Sequence, residues 1–269
     1  MRRRILKLLL GLMAVLPLAT FAASNEQSPV LSRISDSGTL RVGMSAGQPP
    51  FNVRNRDGKI IGLDVDLAGL LARALGVELA IVAMPFGDLL SALEDGEVDL
   101  VISGMTATLQ RNMRAAFVGP YHISGKSILA RSETIAALQS EGLNQESLKI
   151  AALRGSTSEA FVNLRAPNAD LTATDTYDMA IDLLLSNKVD LFVADASIVV
   201  LSQLRWPDAG LVSSNKPLTL EPIGVAVPAG DPLLLNLVEN YMDALIASGA
   251  LERLKKKWFE NGGWLMQLP

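Results

Sequence analysis

Beyond residue 38 the chain alternates short apolar runs with longer amphipathic stretches. Short apolar runs are typical of buried strands, and apolar residues spaced three and four apart are typical of helices. Asp57-Gly58 is a turn dipeptide and predicts a hairpin tip between residues 52–53 and 59–61. The first hundred residues therefore predict strand 39–44, helix 64–75, strand 79–84, helix 88–94 and strand 98–103.

The same alternation restarts after Ser124-Gly125. It predicts strand 149–153, helix 158–164, strand 171–174, helix 178–186, strand 189–194, helix 196–204, strand 223–227 and helices 232–247 and 251–259. Two βαβαβ blocks predict an α/β fold of two lobes, each a mostly parallel sheet flanked by helices. A cleft between such lobes, beside the carboxyl ends of the strands, is where small ligands usually bind.

The N-terminus has a different pattern. Arg2, Arg3, Arg4 and Lys7 precede an apolar run that is too short to span a bilayer, and small residues follow it. Residues 1–23 are therefore predicted to be a cleaved secretory signal peptide, with cleavage near 20–22. An exported protein released into the periplasm is expected.

Composition narrows the possible chemistry. The 269 residues include 24 basic and 28 acidic side chains, one histidine and no cysteine. Removing the signal segment leaves 20 basic and 28 acidic side chains, which argues against nucleic-acid binding. Thiol chemistry, disulfides and multi-histidine metal sites are excluded. No catalytic residue, metal or cofactor is predicted.

Two tempting catalytic motifs fail on context. Residues 43–47 match the G-x-S-x-G nucleophile elbow, but Pro49-Pro50 follows where the elbow needs a helix. Asp64 and Asp66 lie two apart on a predicted helix and so point in different directions. Acidic residues in a first helical turn are more simply explained by the helix dipole.

A ligand-binding set remains at the predicted strand ends. Residues 103–111 supply backbone amides, hydroxyls and the Arg111 guanidinium, which suits a planar carboxylate. The alternative is an ordinary turn, with Thr108 as a helix cap and Arg111 in solvent. Residues 154–157 form either an anion-binding helix N-terminus or a simple cap. Asp195 is either a counter-charge for an ammonium or a helix cap.

These pieces together resemble a polar-amino-acid-binding solute-binding protein of family 3, the periplasmic component of an ABC importer. The resemblance runs from about residue 38 to 258. It rests on Pro49-Pro50-Phe51, Gly62-Leu63-Asp64-Val65-Asp66-Leu67, Gly104-Met105-Thr106-Ala107-Thr108 with Arg111, Phe117 with Pro120-Tyr121, Gly155-Ser156-Thr157, Val189-Asp190 with Asp195, residues 221–227 and Lys257-Trp258-Phe259.

The resemblance implies the type II periplasmic-binding-protein fold. Lobe 1 would combine residues 30–123 with 220–269, and lobe 2 would span 127–215. The crossovers 124–126 and 216–220 would act as hinges. We expect a monomer that binds an amino acid and docks transiently on an inner-membrane ABC permease.

The family's binding positions transfer as follows. Arg111 would take the ligand carboxylate, with help from the amides of Thr106 and Thr157. Asp195 and the Gly104 carbonyl would take the ammonium. The remaining candidate ligand-binding residues are Phe86, which would pack on the ligand side chain, Gln48 and Ser156.

Departures from the family pattern bear on specificity. Gln48 stands where members commonly place an aromatic residue, and Ser45 stands where basic-ligand members often carry an acid. Arg154 either faces an acidic ligand group or lies on the surface. A neutral or polar amino acid is favoured, and an opine-like ligand stays open.

Two other functions stay open. Cyclohexadienyl dehydratases share this fold, but their catalysis needs a carboxylic acid shortly after the lobe-2 aspartate. Ser197, Ile198 and Val199 follow Asp195-Ala196 here. The second alternative is a sensory role, in which the bound ligand is presented to a membrane receptor.

Overall fold

A computed structural model describes residues 28–214 and 216–268. The predicted signal peptide lies outside these residues. Their strands form two five-stranded sheets and one small three-stranded sheet. The α/β class and the two βαβαβ blocks predicted from the sequence are therefore confirmed.

The helices and strands follow one another closely along the chain. The helices are α1 (Pro29–Ser37), α2 (Leu63–Leu75), α3 (Leu89–Glu94), α4 (Leu109–Asn112), α5 (Ser132–Glu141), α6 (Thr157–Arg165), α7 (Tyr177–Leu185), α8 (Ala196–Arg205), α9 (Pro232–Ala247) and α10 (Ala250–Lys255). The strands are β1 (Thr39–Met44), β2 (Gly47–Gln48), β3 (Asn52–Arg54), β4 (Ile60–Ile61), β5 (Glu78–Ala83), β6 (Leu100–Val101), β7 (Ala115–Ser124), β8 (Lys126–Arg131), β9 (Lys149–Leu153), β10 (Asp170–Thr174), β11 (Leu191–Asp195), β12 (Leu211–Ser213) and β13 (Glu221–Pro228). A π-helical turn, Lys256–Glu260, continues α10, and Gly262–Gln267 is a 3-10 helix.

Sheet 1 has the order β5-β1-β6-β13-β7 and belongs to the part of the chain that we call unit 1, residues 28–123 and 221–268. Strands β1, β5 and β6 run parallel, as predicted, whereas β13 pairs antiparallel with both β6 and β7. The small sheet β2-β3-β4 contains the predicted hairpin at Asp57-Gly58.

Sheet 2 has the order β10-β9-β11-β8-β12 and belongs to unit 2, residues 126–213. Strands β10, β9 and β11 run parallel, and β8 pairs antiparallel with both β11 and β12. Each sheet is thus mixed, with four strands running in one direction and a single strand, β13 or β8, running against them. The antiparallel strands β7, β8, β12 and β13 lead into and out of the two crossovers between the units.

The strands β2, β7, β8 and β12 and the helices α1 and α5 were not anticipated from the sequence. In β7, buried positions alternate with exposed ones only in part, because Gly119-Pro120 interrupts the strand. Strand β8 begins with the charged residue Lys126, so the apolar run that follows is short and was not recognised as a strand. None of the residues of α5 is buried, so its hydrophobic periodicity is weak.

Local chemistry explains where α2 ends and where α6 begins. Helix α2 ends at Gly76, whose φ of 69° is a left-handed conformation that glycine adopts readily. The Ser156 hydroxyl caps α6 by accepting bonds from Ser158 N and Glu159 N. Each sheet packs its helices over apolar residues such as Val42 and Leu67 in unit 1 and Phe192 in unit 2.

The two crossovers pass close to one another. A Cβ at Gly125 would overlap the carbonyl oxygen of Thr219, so a side chain at this position would push the crossovers apart. The backbone also joins them, because Leu218 N donates to Lys126 O at 2.7 Å. Among the residues that the structure describes, no helix combines the length and apolarity that crossing a bilayer requires.

Candidate functional site

Every candidate binding residue follows or ends a strand. Gln48 is the last residue of β2, Phe86 follows β5, and Thr157 follows β9. Gly104 and Thr106 follow β6. Arg111 lies on α4, and Asp195 is the last residue of β11. Because parallel strands present their carboxyl ends at one edge of a sheet, these residues meet between the two units.

Arg111 connects the units directly. Its Nη1 donates to Thr106 O at 2.9 Å in unit 1, and its Nη2 donates to Gly155 O at 3.0 Å in unit 2. The guanidinium carbon lies 5.4 Å from the centre of the Phe86 ring, which is cation–π distance. Thr108 caps α4, as one alternative expected, but Arg111 turns into the cleft rather than into solvent.

Burial lowers the pKa of Arg111, while the carboxylates of Glu221 and Asp195 oppose this change. An arginine stays protonated under all ordinary conditions. The cleft therefore contains a permanent positive charge with planar donors, and such a group is suited to a carboxylate.

Asp195 is paired with a residue that the sequence analysis missed. Nζ of Lys126, the first residue of β8, lies 2.8 Å from Asp195 Oδ1, and the Lys126 side chain is 1% exposed. Asp195 is also the residue before α8, but its side chain makes no capping bond to the described residues. The helix-cap alternative for Asp195 is therefore not what the structure shows.

Glu221 is a second residue that was missed. It opens β13 and is 7% exposed. Its Oε2 accepts hydrogen bonds from Thr106 Oγ1 and Thr157 Oγ1, both at 2.7 Å, and lies 3.2 Å from Lys126 Nζ. Glu221 thus joins a threonine of unit 1 to a threonine of unit 2.

The pKa of Glu221 reflects these contacts. Burial raises it, but the Lys126 charge and the hydroxyl bonds outweigh burial and hold the pKa below its usual value. Burial and the neighbouring Asp195 carboxylate raise the pKa of Tyr177, which also faces the site. Glu221 is therefore ionised and acts as a hydrogen-bond acceptor, and the Tyr177 phenol stays neutral.

A chain of buried hydrogen bonds holds the backbone of Gly104 in place. The Gly104 N–H donates to the Tyr121 hydroxyl at 3.1 Å, and that hydroxyl donates to Asp64 Oδ1 at 2.8 Å. Burial raises the pKa of Asp64 to about 6, against the bonds from Asn52, Tyr121 and Gly104. Asp64 is thus a buried acceptor behind the cleft, neither an ordinary first-turn acid nor half of a dyad with Asp66.

Three of the side chains selected from the sequence, Gln48, Ser156 and Arg154, make hydrogen bonds or ion pairs to neighbouring residues. Gln48 Nε2 donates to Gly104 O over a long 3.4 Å, and Gln48 Oε1 has no partner within residues 28–214 and 216–268. The Ser156 hydroxyl is used by its helix cap and by Leu153 O. The Arg154 guanidinium lies on the surface, 2.9 Å from Asp175.

Two cavities flank Phe86. One, of about 400 Å³, is lined by Arg111, Ser156 and Thr157 among others. The other, of about 290 Å³, is lined by Ser45 and Tyr177. Both are of a size that suits a small solute, and Arg111 lines the first of them.

A larger cavity, of about 710 Å³, lies beside the crossovers. Its walls are mostly apolar and include Val200, Leu204 and Trp258, together with His122. The His122 ring stacks on Phe259 with centroids 4.2 Å apart. Burial lowers its pKa to about 4, with Lys255 adding to the effect. This cavity does not suit a zwitterion, because burying charge needs opposite charge nearby.

In the described part of the chain, no three His, Asp or Glu side chains lie close enough together to hold a metal ion.

The sequence signals that could have revealed Lys126 and Glu221 were weak. A lysine at the start of an apolar strand and a glutamate at the start of another are both common at strand ends. The pairing of Lys126 with Asp195 depends on β8 lying beside β11, and its pairing with Glu221 depends on the two crossovers lying together. Both are tertiary relationships.

Comparison with known proteins gives a consistent picture. L-cystine-binding protein TcyJ of Escherichia coli (strain K12) is 25% identical over 252 residues, covering 93% of this chain and 94% of the relative. Cyclohexadienyl dehydratase of Pseudomonas aeruginosa is 27% identical over 249 residues, covering 92% of each.

A solved structure is similar over the same region. The ancestral amino acid-binding protein AncCDT-1, described as a precursor of cyclohexadienyl dehydratase, is 33% identical with a TM-score of 0.78. The match covers 86% of this chain and 99% of that one. Structural neighbours of this kind have the type II periplasmic-binding fold, which confirms the fold expected from the resemblance.

The family assignment rests on a profile match. The profile of "Bacterial extracellular solute-binding proteins, family 3" matches residues 40–261, which is most of the chain. The two mixed sheets and the polar cleft at the strand ends agree with that match. The chain belongs to the bacterial extracellular solute-binding proteins of family 3.

Proposed function

We propose that this protein captures a neutral or polar amino acid in the periplasm and delivers it to an ABC importer. Unit 1 and unit 2 would be the two lobes, with residues 30–123 and 220–269 in one and 127–215 in the other. They would close around the solute by bending at residues 124–126 and 216–220. Residues 1–23 would direct export and be removed.

One observation carries the proposal, namely the opposite charges at one cleft. Arg111 supplies a cation for a carboxylate, while Asp195 and Glu221, offset by Lys126, leave one negative charge for an ammonium. The charges of these four side chains sum to zero, and the net charge of a zwitterionic amino acid is also zero. An enclosed zwitterion needs both of its charges matched to offset desolvation.

The relatives support the solute class. Several are named for the amino acids they bind, such as L-cystine and L-arginine. Arg154 is bound to Asp175 on the surface, which favours a solute without an acidic side chain. Ser45 brings no negative charge to the cavity it lines, and the Asp175 carboxylate on the same wall is already paired with Arg154, which disfavours a basic side chain.

The direct test is thermal unfolding of the mature protein, stripped of solute by unfolding and refolding. The twenty common amino acids would be added one at a time. A solute at 100 times its dissociation constant stabilises by about 2.7 kcal/mol, which raises the melting temperature visibly. Stabilisation by a small subset supports the proposal, and a flat response to all twenty contradicts it.

The enzymatic alternative has its own outcome. Cyclohexadienyl dehydratase is a relative, but Ile198 and Val199, both buried, follow Asp195-Ala196-Ser197 in this chain. Incubation with prephenate or arogenate is expected to leave both compounds unchanged. Conversion of either compound would replace the binding function with the enzymatic one.

The sensory alternative has a separate test. Co-purification of the protein with a membrane kinase in place of a permease would favour the sensory role.

A further inference from the structure

Glu221 lies under the cleft where the two units meet, and its bonds determine how two hydroxyl groups are oriented. Glu221 Oε2 is 2.7 Å from Thr106 Oγ1 and 2.7 Å from Thr157 Oγ1. An ionised carboxylate has no proton to donate, so each threonine must be the donor in its bond. Both hydroxyl protons therefore point at Glu221.

This fixes what the hydroxyls can offer to a solute. A hydroxyl group has one proton and two lone pairs, so a threonine that donates to Glu221 has acceptor positions left. Thr157 also lines the cavity that contains Arg111. The hydroxyls of Thr106 and Thr157, with the Asp195 carboxylate, thus form a set of acceptors and no donor among these three side chains.

The charge of Lys126 stabilises the ionised form of Glu221. Lys126 Nζ lies 2.8 Å from Asp195 Oδ1 and 3.2 Å from Glu221 Oε2, so one ammonium serves both carboxylates. The Thr219 hydroxyl donates to the other Glu221 oxygen at 3.1 Å. Three threonine hydroxyls and the Lys126 ammonium are thus directed at the two oxygens of Glu221, which holds the carboxylate in one orientation.

We propose that Glu221 is a specificity-determining positioning residue, which turns the Thr106 and Thr157 hydroxyls into acceptors for the solute ammonium. The inference rests on the proposed function. Thr106 belongs to unit 1 and Thr157 to unit 2, so the acceptor set is complete only when the units are together. The preference for a solute with an ammonium group therefore requires both units to be closed around the solute.

The test compares each amino acid with the hydroxy acid in which a hydroxyl replaces the ammonium. The probes are L-alanine with L-lactate, L-leucine with L-2-hydroxyisocaproate, and L-phenylalanine with L-3-phenyllactate, each titrated calorimetrically into the full mature protein. In the wild-type protein the amino acid of a bound pair is expected to bind at least 30-fold more tightly.

Glu221→Met removes the acceptor and frees both hydroxyl protons to turn toward the solute. We expect this variant to lower the ratio of amino-acid affinity to hydroxy-acid affinity at least 10-fold. Binding of the amino acid should weaken, and binding of the hydroxy acid should not. Glu221→Gln keeps one acceptor oxygen for the hydroxyls and should restore part of the ratio. Glu239→Met, an exposed substitution on α9 with the same change of charge, should leave the ratio as it is.

Thr157→Val keeps the Glu221–Lys126–Asp195 ion pairs intact, so it tests the inference even if Glu221→Met fails to fold. It should lower the ratio several-fold, and its effect should not add to that of Glu221→Met. An equal loss of affinity for both members of a pair in Glu221→Met would overturn the inference, because a merely structural tie would act on both. An unchanged ratio in Thr157→Val would overturn it as well.

The outcomes separate the two levels of the hypothesis. Binding of amino acids by the wild-type protein with an unaltered ratio in the variants would overturn the role of Glu221 alone. Failure of the wild-type protein to bind either the twenty amino acids or the three hydroxy acids would overturn the proposed function and this inference with it.

Discussion

Gly155 of unit 2 lies directly against Gly87 of unit 1. A Cβ built on Gly155 would come within 2.8 Å of Gly87 Cα, which is closer than real Cβ contacts allow. The reverse is not true, since a Cβ on Gly87 would meet Arg154 O at an ordinary 3.7 Å. The contact therefore depends on a missing side chain at one of the two positions.

Gly155→Ala is expected to hinder the approach of the two units and weaken solute binding at least 10-fold. The reason is steric, because the added methyl group occupies the space of the Gly87 backbone. Solute affinity by calorimetry and solute-induced compaction by small-angle X-ray scattering would measure the effect. Gly87→Ala should change neither quantity by more than about threefold.

The backbone of Gly155 needs its own control, because its φ of +70° already disfavours a side chain. Gly210 has a φ of +65° and open space around its Cβ position. Gly210→Ala therefore carries a similar backbone cost without the contact between units. If it weakened binding as much as Gly155→Ala does, the steric explanation would be wrong.

Arg111→Ala is expected to weaken amino-acid binding by about 2–5 kcal/mol, because it leaves a buried solute carboxylate unpaired. Arg114→Ala is the matched control. Arg114 lines the same cavity, but its guanidinium is bound to the Glu94 carboxylate and is more exposed. Titration of both variants with the stabilising amino acid would decide, and binding by Arg111→Ala within threefold of wild type would contradict this role.

Lys126→Met is expected to lower the free energy of unfolding by about 3–5 kcal/mol, because it leaves Asp195 and Glu221 as buried charges without their cation. Urea unfolding at neutral pH would measure the loss. Lys149→Met, an exposed lysine on a strand of the same sheet, should cost much less. Addition of Glu221→Gln to Lys126→Met should recover part of the loss, and an additive further loss would argue against the shared ion pair.

His122 predicts a dependence of stability on pH. Its pKa is lowered to about 4 by burial and by Lys255, so the folded protein disfavours the charged ring. A group with a lowered pKa of this kind supports the folded state above its ordinary pKa of about 6.5, and the support is lost as the pH falls toward 4.

His122→Phe should therefore gain stability relative to wild type as the pH is lowered from 7 to 4. Phenylalanine keeps an aromatic ring against Phe259 and has no proton to gain. The measurement is thermal or urea unfolding of both proteins at a series of pH values. A constant difference between them across that range would show that the pKa of His122 is the same in the folded and the unfolded protein.

Hydrophobic periodicity was enough to predict most of unit 1 and the helices of unit 2 other than α5. The strand 39–44 and the helix 232–247 occur at the predicted bounds, since each is a continuous apolar or amphipathic run. The predicted strand 98–103 is shorter, Leu100–Val101, because the chain then turns toward the cleft at Gly104. The strands β7 and β8 escaped notice because a Gly-Pro pair and a lysine interrupt their apolar character.

For the site, the sequence determined which charged and hydroxyl residues stand at strand ends, and so indicated Arg111, Thr106, Thr157 and Asp195. Only the tertiary structure decided that Lys126 lies beside Asp195 and that Glu221 lies between the two threonines. Those contacts join residues 64 to 115 positions apart, through an antiparallel strand pair and a second crossover. Local spacing contains no information about such pairs, because their geometry depends on how the two sheets face each other.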